Sequence, residues 1–408
     1  MKVVIVTAGI LPVPATKGGA IETRVTYLAD ENERIGLWNL EICSIYEKCA
    51  EKESQKYNRT KFEYFYPDQK KERLYYLWNR GAKKIIKNKK LLFERILIDS
   101  SLNSVIRFLK KEKDIDVIIL ENKPLWVLKL SQYTDAPIVL HLGNDHLNKD
   151  TFCAKEIGKK VAGIMTVSDY IARCVSTVPE IDPEKIYTVR QGIDQNLFNP
   201  EYFDENEKKE ACRELGIQKA DFVFYFAGRI EKEKGVLELI KAFRRFDKEP
   251  VKLLIIGDVS VWNPDRTYLN SVKEEAEKCE GNVLFVGNVS HEKTALLQSV
   301  ADVAVLPSLW NEPAGNAMIE CMVAGIPLIT TNRGGIPEYC PSGCAILVDV
   351  SDDIEEDLYR EMKKLYQNKN IRDKMHVLEK EIGANYTTEY HYCRIDEVLR
   401  TVLNRKYR

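Results

Sequence analysis

Short runs of consecutive apolar residues recur along the chain, at residues 3–6, 117–120, 138–140, 163–167, 222–226, 253–256, 283–286, 303–306 and 328–330. Runs that are apolar on both faces suit parallel strands covered by helices on either side, because a half-exposed strand would alternate polar and apolar positions. Amphipathic stretches lie between them. Over residues 235–246, Val236, Ile240, Phe243 and Phe246 recur at helical spacing while Lys241, Arg244 and Arg245 take the other face. The alternation of strand and helix predicts a doubly wound α/β architecture.

The pattern breaks once. After the strand-like residues 186–189 comes QGIDQNLFNPEYFDENEKKEACRELGI, charged and bearing Asn and Pro, before a fresh series starts at Phe222. A domain boundary is expected at residues 195–218, and a length of 408 residues agrees with two domains. Ligands of open α/β sheets bind beyond the carboxyl ends of the strands, so two such domains facing each other would line a central cleft with loops from both. Near the C-terminus, Tyr386, Tyr390, Ile395, Val398 and Leu399 fall at near-helical spacing and predict a closing helix.

Charge and composition narrow the classes. With 61 Lys plus Arg against 62 Asp plus Glu the net charge is −1, which removes the basicity expected of a nucleic-acid binder. No apolar run approaches the ~18 residues of a membrane-spanning helix, and MKVVIVTAGI reads as a first strand rather than a leader. Ten cysteines without a C-x-x-C pair suggest reduced thiols and a cytoplasmic protein. The five histidines show no zinc spacing, and the triad Asp114-Ile115-Asp116 precedes its strand, so no metal is expected. One segment departs from neutrality: Arg80, Lys83, Lys84, Lys87, Lys89, Lys90 and Arg95 stand against the single acid Glu94, after the cluster Leu74 to Trp78. It reads either as a solvated helix face or as a surface for anionic lipid or an anionic acceptor.

Three loops carry candidate chemistry. Lys17, Gly18 and Gly19 follow the first strand and precede a helix, where backbone N–H groups face an anion; a plain tight turn explains them equally well. G-x-G-x-x-G is missing there, which counts against a nicotinamide or flavin enzyme. Arg229 and Lys234, just past the strand at 222–226, form either a diphosphate clamp or two solvated charges. After the strand at 303–306, Glu312 falls in the turn before a helix expected to start near Ala314, with Glu320 eight residues on. Two carboxylates so placed accept hydrogen bonds from the hydroxyls of a sugar and a ribose, although a carboxylate at a helix start also serves as a cap.

GRIEKEKG, NEPAGNAMIE and AGIPLITTNRGGIPE, together with Lys17-Gly18-Gly19, TVSDYIA at 166–172, RQGID at 190–194 and the segment 285–308, resemble the retaining glycosyltransferases of family 4, which have the GT-B fold. HLGNDHLN at 141–148 further resembles spore-coat-polysaccharide-type bacterial members. The resemblance implies two Rossmann-like domains, an acceptor-side domain at 1–195 completed by a crossover helix at 386–408, and a nucleotide-sugar domain at 196–385. It implies transfer of a sugar, with retention and without a metal, from a nucleoside-diphosphate sugar to a saccharide or lipid-linked acceptor in bacterial surface polysaccharide or glycoconjugate synthesis. A non-catalytic scaffold of the same fold and an NDP-sugar epimerase are the alternatives. By the same resemblance Gly18 and Gly19 lie against the donor diphosphate and Arg229 and Lys234 neutralise it. Glu312 binds sugar hydroxyls beside the amides of Ala314, Gly315 and Asn316. Glu320 binds the ribose, Gly287, Asn288 and Val289 meet the base, and His141 sits near the sugar.

Overall fold

The computed structural model describes residues 1–66, 100–259, 266–341 and 343–406. The basic run from Arg80 to Arg95 and the cluster Leu74 to Trp78 lie outside them. The chain divides into two compact units, Met1–Arg190 with Thr388–Arg408, and Gln191–Thr387. The expected break at 195–218 therefore falls inside the second unit. The reason is local: Gln191 N donates to the Tyr339 hydroxyl at 3.2 Å, Ile193 N donates to Tyr386 O at 2.8 Å, and Ile193 bridges Thr387.

In the first unit seven parallel strands form one sheet: β1 (Lys2–Val6), β2 (Asn39–Ile45), β3 (Thr60–Phe65), β4 (Val117–Glu121), β5 (Ile138–Leu142), β6 (Gly163–Thr166) and β7 (Ile186–Thr188), in the order β3-β2-β1-β4-β5-β6-β7. The strand order reverses direction between β1 and β4, where an open parallel sheet leaves its crevice. One face of this sheet packs against helix Ala20–Ile35 and helix Thr388–Lys406, with Val25, Leu28, Tyr392, Ile395 and Leu399 all buried there. The closing helix is present, but Tyr390 is exposed and Tyr392 takes the core position. Tyr392 also donates to Asn32 Oδ1 at 2.7 Å, and Trp38 Nε1 donates to Asp396 Oδ1 at 2.8 Å.

The second unit repeats the plan with six parallel strands: β8 (Phe222–Ala227), β9 (Val251–Ile256), β10 (Val283–Gly287), β11 (Val303–Leu306), β12 (Leu328–Thr331) and β13 (Ala345–Val348), in the order β10-β9-β8-β11-β12-β13. Here the reversal lies between β8 and β11. Both units are Rossmann-like α/β domains, as the alternation of strand and helix predicts. None of the ten cysteines forms a disulfide, and no helix among the described residues is long and apolar enough to cross a membrane.

Candidate functional site

In the second unit the loops after β8, β11 and β12 meet at the reversal point. Leu309 N donates to Glu233 O at 2.8 Å and Gly335 N donates to Glu312 O at 2.7 Å, so each loop is pinned to its neighbour through the backbone. Two glycines make this approach feasible. Gly235 holds a φ of 67° and a Cβ there would lie 2.1 Å from Pro307 O; Gly334 holds 57° and its Cβ would lie 2.3 Å from Glu312 O. No side chain fits either place.

This framework brings Lys234 and Glu312 together. Lys234 Nζ lies 2.7 Å from Glu312 Oε2, which also accepts from Ser308 Oγ at 2.9 Å and Trp310 Nε1 at 2.7 Å. All three donors converge on Oε2 and none on Oε1. Burial by itself pushes the Glu312 carboxyl up, but the Lys234 charge and the three hydrogen bonds outweigh it and hold the group below the ordinary carboxylate range. Arg229 takes a different partner: it is half exposed and ion-pairs with Glu231 at 2.9 Å. The clamp of Arg229 with Lys234 is thus not assembled in this structure.

The helix after β11 begins at Asn316 rather than near Ala314, because Gly315 caps it with a φ of 82° and Ala314 is buried in the turn before. Gln191 Nε2 donates to Asn316 Oδ1 at 2.8 Å and fixes that side chain at the helix start. Glu320, on the second turn, is buried. Its Oε1 lies 3.6 Å from His291 Nε2, and burial pushes its carboxyl up against the weaker pull of His291. His291 opens the helix that follows the turn of Gly287, Asn288 and Val289. The positions expected for base and ribose are therefore neighbours. The two carboxylates of the E-x7-E segment sit in opposed environments, one kept ionised and one pushed toward its neutral form. Ser308, Trp310, Gln191 and His291 escaped the sequence reading, although the first two stand in the same PSLWNEP segment as Glu312 and Gln191 in RQGID.

In the first unit Gly18 and Gly19 close the loop after β1, and Gly19 caps helix Ala20–Ile35, which also carries Arg24. Lys17 is exposed, with Nζ 4.0 Å from Glu47 Oε1. His141 is the penultimate residue of β5 and stands in register with Glu121 at the end of β4. Both are fully buried. His141 Nδ1 lies 3.0 Å from Glu121 Oε1, and Arg24 Nη2 donates to Glu121 Oε2. Burial pushes the Glu121 carboxyl up, yet Arg24 and then His141 pull it down to about 2. Burial and the Arg24 charge push His141 below its ordinary value.

Residues 207–380 match the family described as Glycosyl transferases group 1. This stretch is a glycosyl transferases group 1 domain. The group 1 domain holds β8 to β13 and with them Lys234, Glu312 and Glu320. Spore coat protein SA of Bacillus subtilis (strain 168) is 32% identical over 243 residues, which cover 57% of this chain and 64% of that protein. The putative glycosyltransferase YtcC of the same organism is 29% identical over 307 residues, covering 72% of this chain and 75% of its own. Among solved structures, Anabaena Alr3699/HepE in complex with UDP and glucose superposes with a TM-score of 0.75 and 16% identity, over 98% of this chain and 99% of that one. That likeness shows the GT-B fold.

Proposed function

We propose that the chain is a retaining glycosyltransferase of family 4, moving a sugar from a nucleoside-diphosphate donor to an acceptor hydroxyl. The observation that carries this reading is the part-buried Lys234–Glu312 pair at the strand-order reversal of the group 1 domain. Bond cleavage leaves a diphosphate while the sugar gains oxocarbenium character. Lys234, held in place by Glu312, supplies positive charge to the departing group, and Arg229 adds to it once it leaves Glu231. Glu312, kept ionised, offers Oε1 to sugar hydroxyls, while Glu320 accepts from the ribose and the turn 287–289 receives the base. The proton of the acceptor hydroxyl passes to the departing phosphate. Fixed cationic side chains perform this neutralisation without a metal, so chelation of divalent cations leaves turnover unchanged.

The complex of HepE with UDP and glucose supports a nucleotide-sugar donor. The name of the spore coat relative supports a role in building a surface layer; a cytoplasmic site of action and a saccharide or lipid-linked acceptor belong to the same proposal. The test is release of nucleoside diphosphate from a panel of UDP-, GDP-, TDP- and ADP-sugars. One donor should be hydrolysed slowly in the absence of acceptor. Lys234→Ala and Glu312→Gln should each lower turnover roughly 10²-fold or more, since charge stabilisation grows as the bond breaks. Undiminished turnover in both variants, with parental melting temperatures, would remove the pair from the site.

A further inference from the structure

Two imidazoles of the first unit are buried side by side with one nitrogen each unmatched. The ring centroids of His141 and His391 are 6.1 Å apart, and Nε2 of both is buried without a hydrogen-bond partner. The other nitrogen is committed in each case. His391 Nδ1 lies 2.7 Å from Arg190 O, and a carbonyl only accepts, so Nδ1 carries the proton. His141 Nδ1 lies 3.0 Å from Glu121 Oε1, whose second oxygen accepts from Arg24. A carboxylate engaged by a guanidinium also only accepts, so the proton of His141 sits on Nδ1.

We propose that Glu121 is a positioning residue for His141, holding its ring in the Nδ1–H tautomer so that Nε2 stands as a hydrogen-bond acceptor for a hydroxyl or water. Register places the two residues on adjacent strands, Glu121 at the end of β4 and His141 next to last in β5. Three charged or titratable groups face the imidazole: Glu121 from β4, Arg24 from helix Ala20–Ile35 and His391 from helix Thr388–Lys406. Arg24 and Glu121 offset one another. Burial pushes both rings toward their neutral form, His391 to about 3. Protonation of His141 would place a second cation beside Arg24 and abolish the acceptor at Nε2. The arrangement provides an acceptor of fixed direction.

The test is nitrogen-15 spectroscopy of the full chain labelled at histidine, with His141 assigned through His141→Gln. The parent should show His141 as a single neutral Nδ1–H tautomer at neutral pH. Glu121→Gln, whose amide both donates and accepts, should lose that single tautomer and lower kcat roughly tenfold or more with a smaller change in KM for the donor. Because this variant leaves Arg24 buried without its counter-charge, Arg24→Met/Glu121→Gln is measured beside it. A parent ring protonated at Nε2, a tautomer unaltered in both variants, or a lost tautomer with parental kcat would each overturn the proposal. Only the kinetic arm rests on the sugar-transfer reading: a parent without turnover on any nucleotide sugar counts against that reading, and the spectra decide the tautomer alone.

Discussion

Glu312 and Glu320 belong to one short segment, yet their surroundings push them in opposite directions, and this divides structural cost from chemical use. Glu320 is buried, and among the described residues His291 at 3.6 Å is the charge partner that offsets the loss of solvent. Its folded pKa lies above the unfolded one, so the stability associated with its neutral form is present at low pH and is lost as pH rises through the folded value. Glu320→Gln should therefore raise the melting temperature at neutral pH, and the gain should shrink to nothing below the ordinary carboxylate range. Nucleoside diphosphate affinity, read by calorimetry, should fall in the same variant if the ribose uses this carboxylate. A variant with no stability gain at neutral pH would contradict the burial argument. The spacing of these two acids was legible from the sequence because a helix start and a strand end bracket them. The pairing of Lys234 with Glu312, and of Arg229 with Glu231, was not. Which of two nearby acids a flexible cation meets depends on the packing of three loops that spacing does not encode.

At the level of elements, strands apolar on both faces were legible and three others were not. In β2 the run is broken by Glu41, which is buried with Lys2 and Lys61 Nζ 3.7 and 3.9 Å from its Oε1. In β3, at the sheet edge, Thr60 and Phe65 are buried while Lys61 and Glu63 are exposed, so the both-faces rule does not apply. An edge strand of the other sheet, β13, follows the turn at Gly343; its run AILV is as long as those of β11 and β12 but was not singled out in the sequence. The closing helix was read correctly as an element but with one wrong contact. Its register makes a sharp prediction. Leu399, fully buried against the first sheet, should cost about 2–5 kcal/mol when changed to Ala, lowering the melting temperature by roughly 4–20 °C. Tyr390→Ala, on the same helix but exposed, should change stability by no more than about 0.5 kcal/mol. Calorimetry showing equal losses for the two would mean that the helix packs in another register.

For the molecule as a whole, a net charge of −1 provides no long-range attraction to any polyanion. Attraction to an anionic surface must then be local, and the sequence concentrates it in the run from Arg80 to Arg95, where seven basic residues face one acid. Near an anionic membrane each Lys or Arg contributes about 1 kcal/mol, so even a few engaged residues yield a weak and reversible association that salt screens within a Debye length. An enzyme using a lipid-linked acceptor gains from such residence, because its substrate is confined to the same surface. Co-sedimentation with vesicles checks this directly. The chain should bind vesicles rich in anionic lipid at low salt, release them at high salt, and ignore neutral vesicles throughout. Changing Lys83, Lys84, Lys87 and Lys90 together to Gln should abolish binding while turnover on a soluble acceptor analogue stays at the parental level. Indifference to both vesicle types would return the segment to a solvated surface and make a soluble saccharide the acceptor to test first.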